Sequence, residues 1–291
     1  MTDVLLVHGI WNRQKGMTPQ EAATLMAEAA RPVLGRGLHA AGLAHVPLPD
    51  VAMAYYSDLL GDDDEVQSGG SDGLEDLSEA QLAEAWEWLV AAGVPVPNEP
   101  QAGWLVPVRQ GIGWLARRRT GRGVADRVRQ ELTEWFTRLV VACIKDLDAY
   151  TSRPETREAV RQRVADAMYA GRPRVLIAHS LGSVVAYETL HAYPDLKVDL
   201  FLTLGSPLGL PALSRKLQPA PRGGRGARPP GAGWWINIAD AGDPVAVPPE
   251  LGGMFPVDAH ATTDIGLFDP HTLGGYLANG LTAAALAPYI S

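Results

Sequence analysis

The stretch that decides the fold is Arg174–Tyr187, which reads RVLIAHSLGSVVAY. Its first residues, Arg174–Ala178, form a mostly apolar run that is typical of a strand buried on both faces of a parallel sheet. Ser180 follows almost at once, and the pattern of Leu181–Tyr193 predicts a helix directly after it. The sequence therefore predicts a serine at a sharp turn between a buried strand and a helix.

Small residues flank Ser180 two positions away on either side, at Ala178 and Gly182. They let the strand and the helix approach closely around a turn that holds the serine in a strained backbone conformation. The N-terminus of the helix adds partial positive charge and unbonded N–H groups beside the serine. The pattern indicates a nucleophile. Ser206 also ends a strand, but Pro207 after it lacks an N–H group, which makes Ser206 the weaker candidate.

Composition narrows the class of protein. The chain has 291 residues, 46% of them hydrophobic, with 25 Lys+Arg against 33 Asp+Glu and a formal net charge of −8. The apolar content predicts a globular protein with a sizeable core. The acidic balance argues against a nucleic-acid partner. A single cysteine, Cys143, excludes an internal disulfide and a cysteine-built metal site, and the histidines lack metal-ligand spacing. We expect neither a metal nor a cofactor.

Two apolar segments bear on cellular location. The N-terminal run Val4–Val7 is too short for the core of a signal peptide. The longest uncharged stretch, Pro270–Ser291, contains three glycines and, near its end, Pro288, which argues against a membrane-spanning helix. These features predict a cytoplasmic protein.

Strands and helices alternate along most of the chain, which predicts an α/β fold with a parallel-rich sheet and helices on both faces. Thr18, Pro19 and Glu21 predict a capped helix start, and that helix is expected to end or kink near Pro32. Besides Arg174–Ala178, the predicted strands are Asp3–Val7, Asp50–Tyr56, Val198–Leu204 and Trp234–Ala239. Further helices are predicted at Pro154–Ala170 and His271–Leu286.

The alternation breaks between residues 58 and 153, which predicts a mostly helical cap inserted into a core of residues 1–57 and 154–291. Helices are predicted at Leu77–Ala92 and Val124–Tyr150. Gly61–Gly73 is acidic and rich in Gly and Ser, so we expect a solvated mobile loop. Gly93–Gly123 shows no clear hydrophobic period. Within it, Gly111–Ala116 matches the residue pattern of a dinucleotide-binding fingerprint, but no clean strand precedes the match.

Four separated segments resemble the α/β-hydrolase fold family, in particular its lipase- and esterase-like serine hydrolases. Residues 178–182 resemble the nucleophile elbow, with Ala178 where the family usually has glycine. His8-Gly9-Ile10, after the first strand, resembles the oxyanion-hole loop. Asp243-Pro244-Val245 resembles the acid loop, and His271 resembles the triad histidine. The order Ser180, Asp243, His271 is the one that this fold uses.

The resemblance implies a catalytic triad of Ser180, Asp243 and His271. It also implies an oxyanion hole made by the backbone N–H groups of Leu181 and Ile10. His8 and His179 are interpreted as residues that shape the loops beside the nucleophile. Two alternatives stay open, because Asp240 competes with Asp243 for the acid and His260 competes with His271 for the base. We favour Asp243 because it lies on the loop after the strand, and we favour His271 because it lies between a loop and a helix.

The function that follows is hydrolysis of a carboxylic ester through an acyl-enzyme. Amidase, peptidase or thioesterase chemistry would use the same triad, and a non-catalytic α/β-hydrolase-like binding module is a further alternative. The Trp-bearing cap favours a small-molecule substrate with an acyl or lipid-like part, with Gly93–Gly123 as the mobile segment that sets access. Basic patches at Arg117–Arg122 and Arg222–Arg228 could contact a phospholipid surface, although solvated loops are the favoured interpretation.

Overall fold

The computed structural model describes residues 2–10, 12–61, 73–96, 103–121, 124–266 and 270–290. Within these ranges six strands form one sheet in the order β2-β1-β3-β4-β5-β6, and every neighbouring pair is parallel. The α/β class and the parallel sheet are therefore confirmed. The strands are β1 Val4–Val7, β2 Val51–Ala54, β3 Val175–His179, β4 Val198–Leu204, β5 Ala232–Asp240 and β6 Ala259–Thr263.

Helices cover both faces of the sheet. Successive residues of each strand point to opposite faces, so Leu5 and Val7 join one core cluster while Val4 and Leu6 join the other. The helices are α1 Pro19–Ala40, α2 Glu79–Ala91, α3 Leu105–Thr120, α4 Asp126–Ser152, α5 Pro154–Gly171, α6 Leu181–Ala192, α7 Pro211–Ser214, α8 Leu273–Leu277 and α9 Gly280–Ile290. The first cluster is covered by α2 to α6 and the second by α1 and α9.

Among the residues that the structure describes, no helix combines the length and the apolar character that crossing a membrane requires.

The first helix begins as predicted but continues further. Thr18 caps it, and the reciprocal bonds of a capping box are present. The helix does not end at Pro32, one of the two outcomes expected there, because α1 runs on to Ala40. Leu34 and Leu38, two and six residues after the proline, are buried against the sheet. Their burial offsets the backbone hydrogen bond that the proline removes.

The segment between β2 and β3 contains α2, α3, α4 and α5. A 16-residue helix, α3, stands where the sequence showed no clear period. Its buried side chains Val108, Ile112 and Ala116 recur every four residues and pack with α2 and α4. Gly111 lies inside this helix, where it permits close packing against Leu89, so the fingerprint letters form no phosphate-binding turn. Most of the acidic loop predicted at 61–73 lies outside the described residues, as do 97–102 and 122–123.

The C-terminal region departs from the prediction in two ways. The edge strand β6 carries the sequence AHATT, whose half-exposed and polar side chains give no buried-strand pattern. The single helix expected at 271–286 is two helices, α8 and α9, separated at Ala278 and Asn279. The side chain of Asn279 accepts a hydrogen bond from the N–H of Leu281, at 2.9 Å, and so starts the second helix.

Candidate active site

Ser180 stands at the turn between β3 and α6 in a strained conformation, with φ 55° and ψ −132°. The turn brings Gly182 against β1: a Cβ added at Gly182 would lie 2.3 Å from the carbonyl oxygen of His8. Only glycine fits there without a shift of the backbone. The N–H of Ser180 donates to the carbonyl of Leu204 at the end of β4, at 3.0 Å. The strand–serine–helix turn predicted from the sequence is present.

The three residues that the sequence singled out lie in one hydrogen-bonded series. Ser180 Oγ is 2.8 Å from His271 Nε2, and His271 Nδ1 is 2.8 Å from Asp243 Oδ2. Each residue is at most 3% exposed. Ser180 follows β3, Asp243 follows β5 and His271 follows β6, so the residues meet at the carboxyl edge of the sheet. A base between a hydroxyl and a carboxylate can take up the hydroxyl proton while the carboxylate stabilises the resulting cation.

The carboxylate of Asp243 is fixed on both oxygens. Oδ1 accepts hydrogen bonds from the N–H groups of Val245, at 2.8 Å, and Ala246, at 3.4 Å. Oδ2 accepts one from the hydroxyl of Tyr276, at 2.7 Å, besides its contact with His271. These hydrogen bonds fix the position and orientation of the Asp243 carboxylate beside His271.

Tyr276 was not identified from the sequence. Its oxygen accepts a hydrogen bond from the N–H of Asp240, at 2.9 Å, which leaves its own proton to point at Asp243. Burial and the adjacent Asp243 charge raise the pKa of Tyr276, so the hydroxyl stays protonated. Gly205, at φ 53°, makes room, since a Cβ there would lie 2.7 Å from Asp243 Oδ2 and 2.8 Å from the tyrosine ring. A tyrosine in an apolar C-terminal helix gives no sequence signal for this role.

Asp240, the alternative acid, does not contact His271 in the structure. Its Oδ1 accepts from the N–H of Gly242 at 2.6 Å, and its Oδ2 accepts from the N–H of Ile265 at 2.7 Å. Arg119 of α3 lies 3.6 Å from the same carboxylate. Asp240 therefore organises the loops that follow β5 and β6.

His260, the alternative base, lies on β6. Its Nδ1 is 2.9 Å from the side-chain nitrogen of Asn237, and its Nε2 is 3.2 Å from the hydroxyl of Thr262. Burial lowers the pKa of His260. Within the described residues, no hydrogen bond connects the His260 side chain to Ser180.

Ser206, the second serine at a strand end, is 2.7 Å from the hydroxyl of Ser183 and accepts a hydrogen bond from the N–H of Leu208. Ser183 donates its own proton to the carbonyl of Ser180, at 2.6 Å, so the proton between the two hydroxyls belongs to Ser206. This pair was not predicted. It stabilises the backbone of the strained turn.

The loop His8-Gly9-Ile10 lies directly against Ser180. A Cβ added at Gly9 would be 3.1 Å from Ser180 Oγ. His8 Nδ1 donates to the carbonyl of Gly9, at 2.8 Å, while its Nε2 accepts from the N–H of Tyr56, at 3.2 Å. His8 thus shapes this loop, in agreement with its interpretation. Ile10 and Leu181, the two predicted oxyanion donors, line one apolar crevice together with Ser180.

Two buried histidines beside the site are held neutral. Burial lowers the pKa of His8 to about 4, although its hydrogen bond to Gly9 acts in the opposite direction. Burial also lowers the pKa of His179, and the nearby His271 and His8 lower it further. The rings of His179 and His271 have centroids 4.7 Å apart. Of these two adjacent rings, His271 is the one that hydrogen-bonds Ser180 Oγ.

These shifts predict that stability falls with acid. The native pKa of His8 is about 4 and its ordinary value is 6.5, so between these pH values the unfolded chain binds a proton that the native state does not. The free energy of unfolding should therefore drop by about 2 kcal/mol from this group between pH 7 and pH 4.5. His179 acts in the same direction. Urea unfolding across this range measures the slope, and His8→Gln should flatten it; an unchanged slope in that variant would contradict the assignment.

Within the described ranges, no group of three or more His, Cys, Asp or Glu side chains is arranged to hold a metal ion. A cavity of about 590 Å³ lies between Arg118 and Arg119 of α3, Phe136 of α4 and residues 240–249. Ser180 and His271 are not among its described lining residues.

The chain was compared with protein-family models, with curated proteins and with solved structures, and it matches none of them.

Proposed function

We propose that the protein is a serine hydrolase of the α/β-hydrolase fold that cleaves a carboxylic ester through an acyl-enzyme. The observation that carries the proposal is the series Ser180–His271–Asp243, joined by two contacts of 2.8 Å. Its serine stands in a strained turn at the N-terminus of a helix. Hydrogen bonds alone occur in many protein cores, but a serine at positive φ that hydrogen-bonds a buried histidine, which in turn hydrogen-bonds a buried carboxylate, is typical of an activated nucleophile.

The topology supports the same proposal at the level of the fold. The nucleophile follows a central strand of a six-stranded parallel sheet, and the acid and the histidine follow later strands in the order of this fold. The proposed core is residues 1–57 and 154–291. Residues 58–153 form the proposed cap, whose helices α2 and α4 supply walls of the crevice at Ser180.

In the proposed reaction, Ser180 Oγ attacks the ester carbonyl carbon while its proton moves to His271 Nε2. Asp243 stabilises the histidine cation, and the N–H groups of Leu181 and Ile10 hold the negative charge on the former carbonyl oxygen. The carbon–oxygen bond to the alcohol then breaks, and His271 gives its proton to the departing oxygen. Water, deprotonated by His271, attacks the acyl-enzyme and releases the acid and free Ser180.

A matched set of substrates tests this function. The enzyme is presented with p-nitrophenyl acetate, p-nitroacetanilide and an acetyl thioester, and pre-steady-state release of p-nitrophenol is recorded. We expect an initial burst that matches the enzyme concentration and a preference for the ester. A preference for the anilide or the thioester would move the function to an amidase or a thioesterase. No turnover of any of the three would favour a non-catalytic binding module.

Tyr276→Phe removes the hydroxyl that holds Asp243. A hydrogen bond to a charged group contributes about 1.5–3 kcal/mol, so kcat should fall by about 10- to 150-fold with little change in KM. Unfolding free energy should also fall by about 1–3 kcal/mol, because the N–H of Asp240 loses its acceptor. Tyr169→Phe is the control, since Tyr169 donates to the carboxylate of Asp195 outside the site, at 2.9 Å. A stability loss with unchanged kcat would show that Tyr276 has no positioning role.

A further inference from the structure

A narrow apolar crevice begins at Ser180 and runs beneath the cap. Ile10 and Leu181 lie beside the serine. The rest of its wall comes from the cap helices and from the segment after β4: Trp88 of α2, Ile144 and Leu147 of α4, and Leu210, Ala212 and Leu213. An apolar wall that starts at a nucleophile is suited to the hydrocarbon part of an acyl group.

The crevice is small. Its free volume is about 30 Å³, and one water-sized group needs about 10–15 Å³. A methyl or methylene group is larger than a water molecule, so the space accepts about one or two such groups. If the carbonyl carbon is at Ser180 and the carbonyl oxygen faces the N–H groups of Leu181 and Ile10, one or two further carbons fill the crevice.

The roof of the crevice is fixed in place. The Trp88 indole N–H of α2 donates to the carbonyl of Pro244. Glu84, on the same helix, pairs with Lys216, whose Nζ lies 2.6 Å from its carboxylate. Among the described lining residues Glu84 is the one charged side chain, and this ion pair already engages it. The crevice therefore suits an uncharged chain, and its roof resists widening.

We infer that this crevice is the acyl pocket and that it selects short, uncharged acyl groups of acetyl or propionyl size. The inference rests on the proposed function and narrows its substrate class. An ester of such an acid would place its chain against Leu147 and Ala212, and the bond to its alcohol would break as described above. Longer chains would have to displace buried side chains of a packed wall, which is costly.

The test compares kcat/KM for the p-nitrophenyl esters of acetic, propionic, butyric, hexanoic and octanoic acids. We expect the highest values for acetate and propionate, and a decrease of about tenfold or more by hexanoate, since a misfitting methylene changes the rate by about 10- to 200-fold. A maximum at hexanoate or octanoate would overturn the inference.

Two variants change the volume in opposite directions. Leu147→Ala enlarges the crevice and should raise the hexanoate-to-acetate ratio of kcat/KM by about tenfold. Ala212→Val fills it and should lower the propionate-to-acetate ratio; this variant adds bulk at a single position and gives an independent readout if Leu147→Ala folds poorly. Leu105→Ala is the matched control, because Leu105 is also a half-buried cap leucine outside the crevice.

Labelling of Ser180 by a small fluorophosphonate separates the two levels of the proposal. Suppose that Ser180 is labelled but neither Leu147→Ala nor Ala212→Val changes its ratio of kcat/KM, or that Leu105→Ala changes both ratios equally. The assignment of the crevice as the acyl pocket is then overturned, and the proposed function stands. If Ser180 is not labelled and no ester is cleaved, both are overturned.

Discussion

Ser180→Ala is expected to lower kcat for p-nitrophenyl acetate by about 10⁶, the scale seen when a triad nucleophile is removed. The substitution deletes the oxygen that lies 2.8 Å from His271 Nε2. Within the described residues, no second hydroxyl hydrogen-bonds that nitrogen. The remaining groups can still bind the ester, so KM should change far less than kcat.

The same variant should remain folded, which separates chemistry from stability. Alanine keeps the Cβ that packs against Gly9 and loses one hydrogen bond, so the unfolding free energy should change by about 1 kcal/mol or less. Thermal unfolding of the variant and the wild type measures this difference. Ester turnover that survives in a folded Ser180→Ala protein would assign the nucleophile to another residue.

Asp243→Asn is expected to lower kcat by about 10³–10⁴, the range known for neutralising a triad acid. The substitution keeps the size of the side chain but removes the negative charge that stabilises protonated His271. It also places an amide where Oδ2 now accepts hydrogen bonds from Tyr276 and His271. The histidine would then be held in a tautomer that cannot accept the serine proton. Steady-state kinetics with p-nitrophenyl acetate give the measurement.

Asp240→Asn is the matched control, because Asp240 is equally buried, precedes Asp243 by three residues and competes for the same role in the sequence. Its carboxylate accepts hydrogen bonds from the N–H groups of Gly242 and Ile265 and makes no hydrogen bond to His271. We expect a loss of stability of about 1–3 kcal/mol and a much smaller loss of kcat. A larger kcat loss in Asp240→Asn than in Asp243→Asn would reverse the assignment of the acid.

The parts of the fold that could be predicted are those in which local pattern and burial agree. The run Val4–Val7 is buried throughout and Val198–Leu204 is buried except at Asp199, and their largely apolar sequences indicate this burial directly. The serine turn was predictable because two constraints are local: Ala178 and Gly182 are small, and the strand and helix adjoin. The choice of Asp243 over Asp240 rested on loop position, and the structure brings Asp243 to His271.

The parts that could not be predicted depend on tertiary contacts. Strand β6 lies at a sheet edge with half-exposed polar residues, so its pairing with β5 leaves no period in the sequence. Helix α3 follows from packing between α2 and α4, which overrides the weak propensity of its glycines and Pro107. Tyr276 acquires its contact with Asp243 only because Gly205 makes space on another strand end. A contact of this kind cannot be predicted from the local sequence around Tyr276.

The central claim is that Ser180 is a nucleophile activated by His271. The most direct measurement is the rate at which a fluorophosphonate forms a covalent adduct, with the modified residue located by peptide mass spectrometry, in the wild type, His271→Ala and His260→Ala. We predict one adduct, on Ser180, formed at similar rates in the wild type and His260→Ala and slowed by about 10³ or more in His271→Ala. An adduct on another residue, or equal rates in all three folded proteins, would contradict the account.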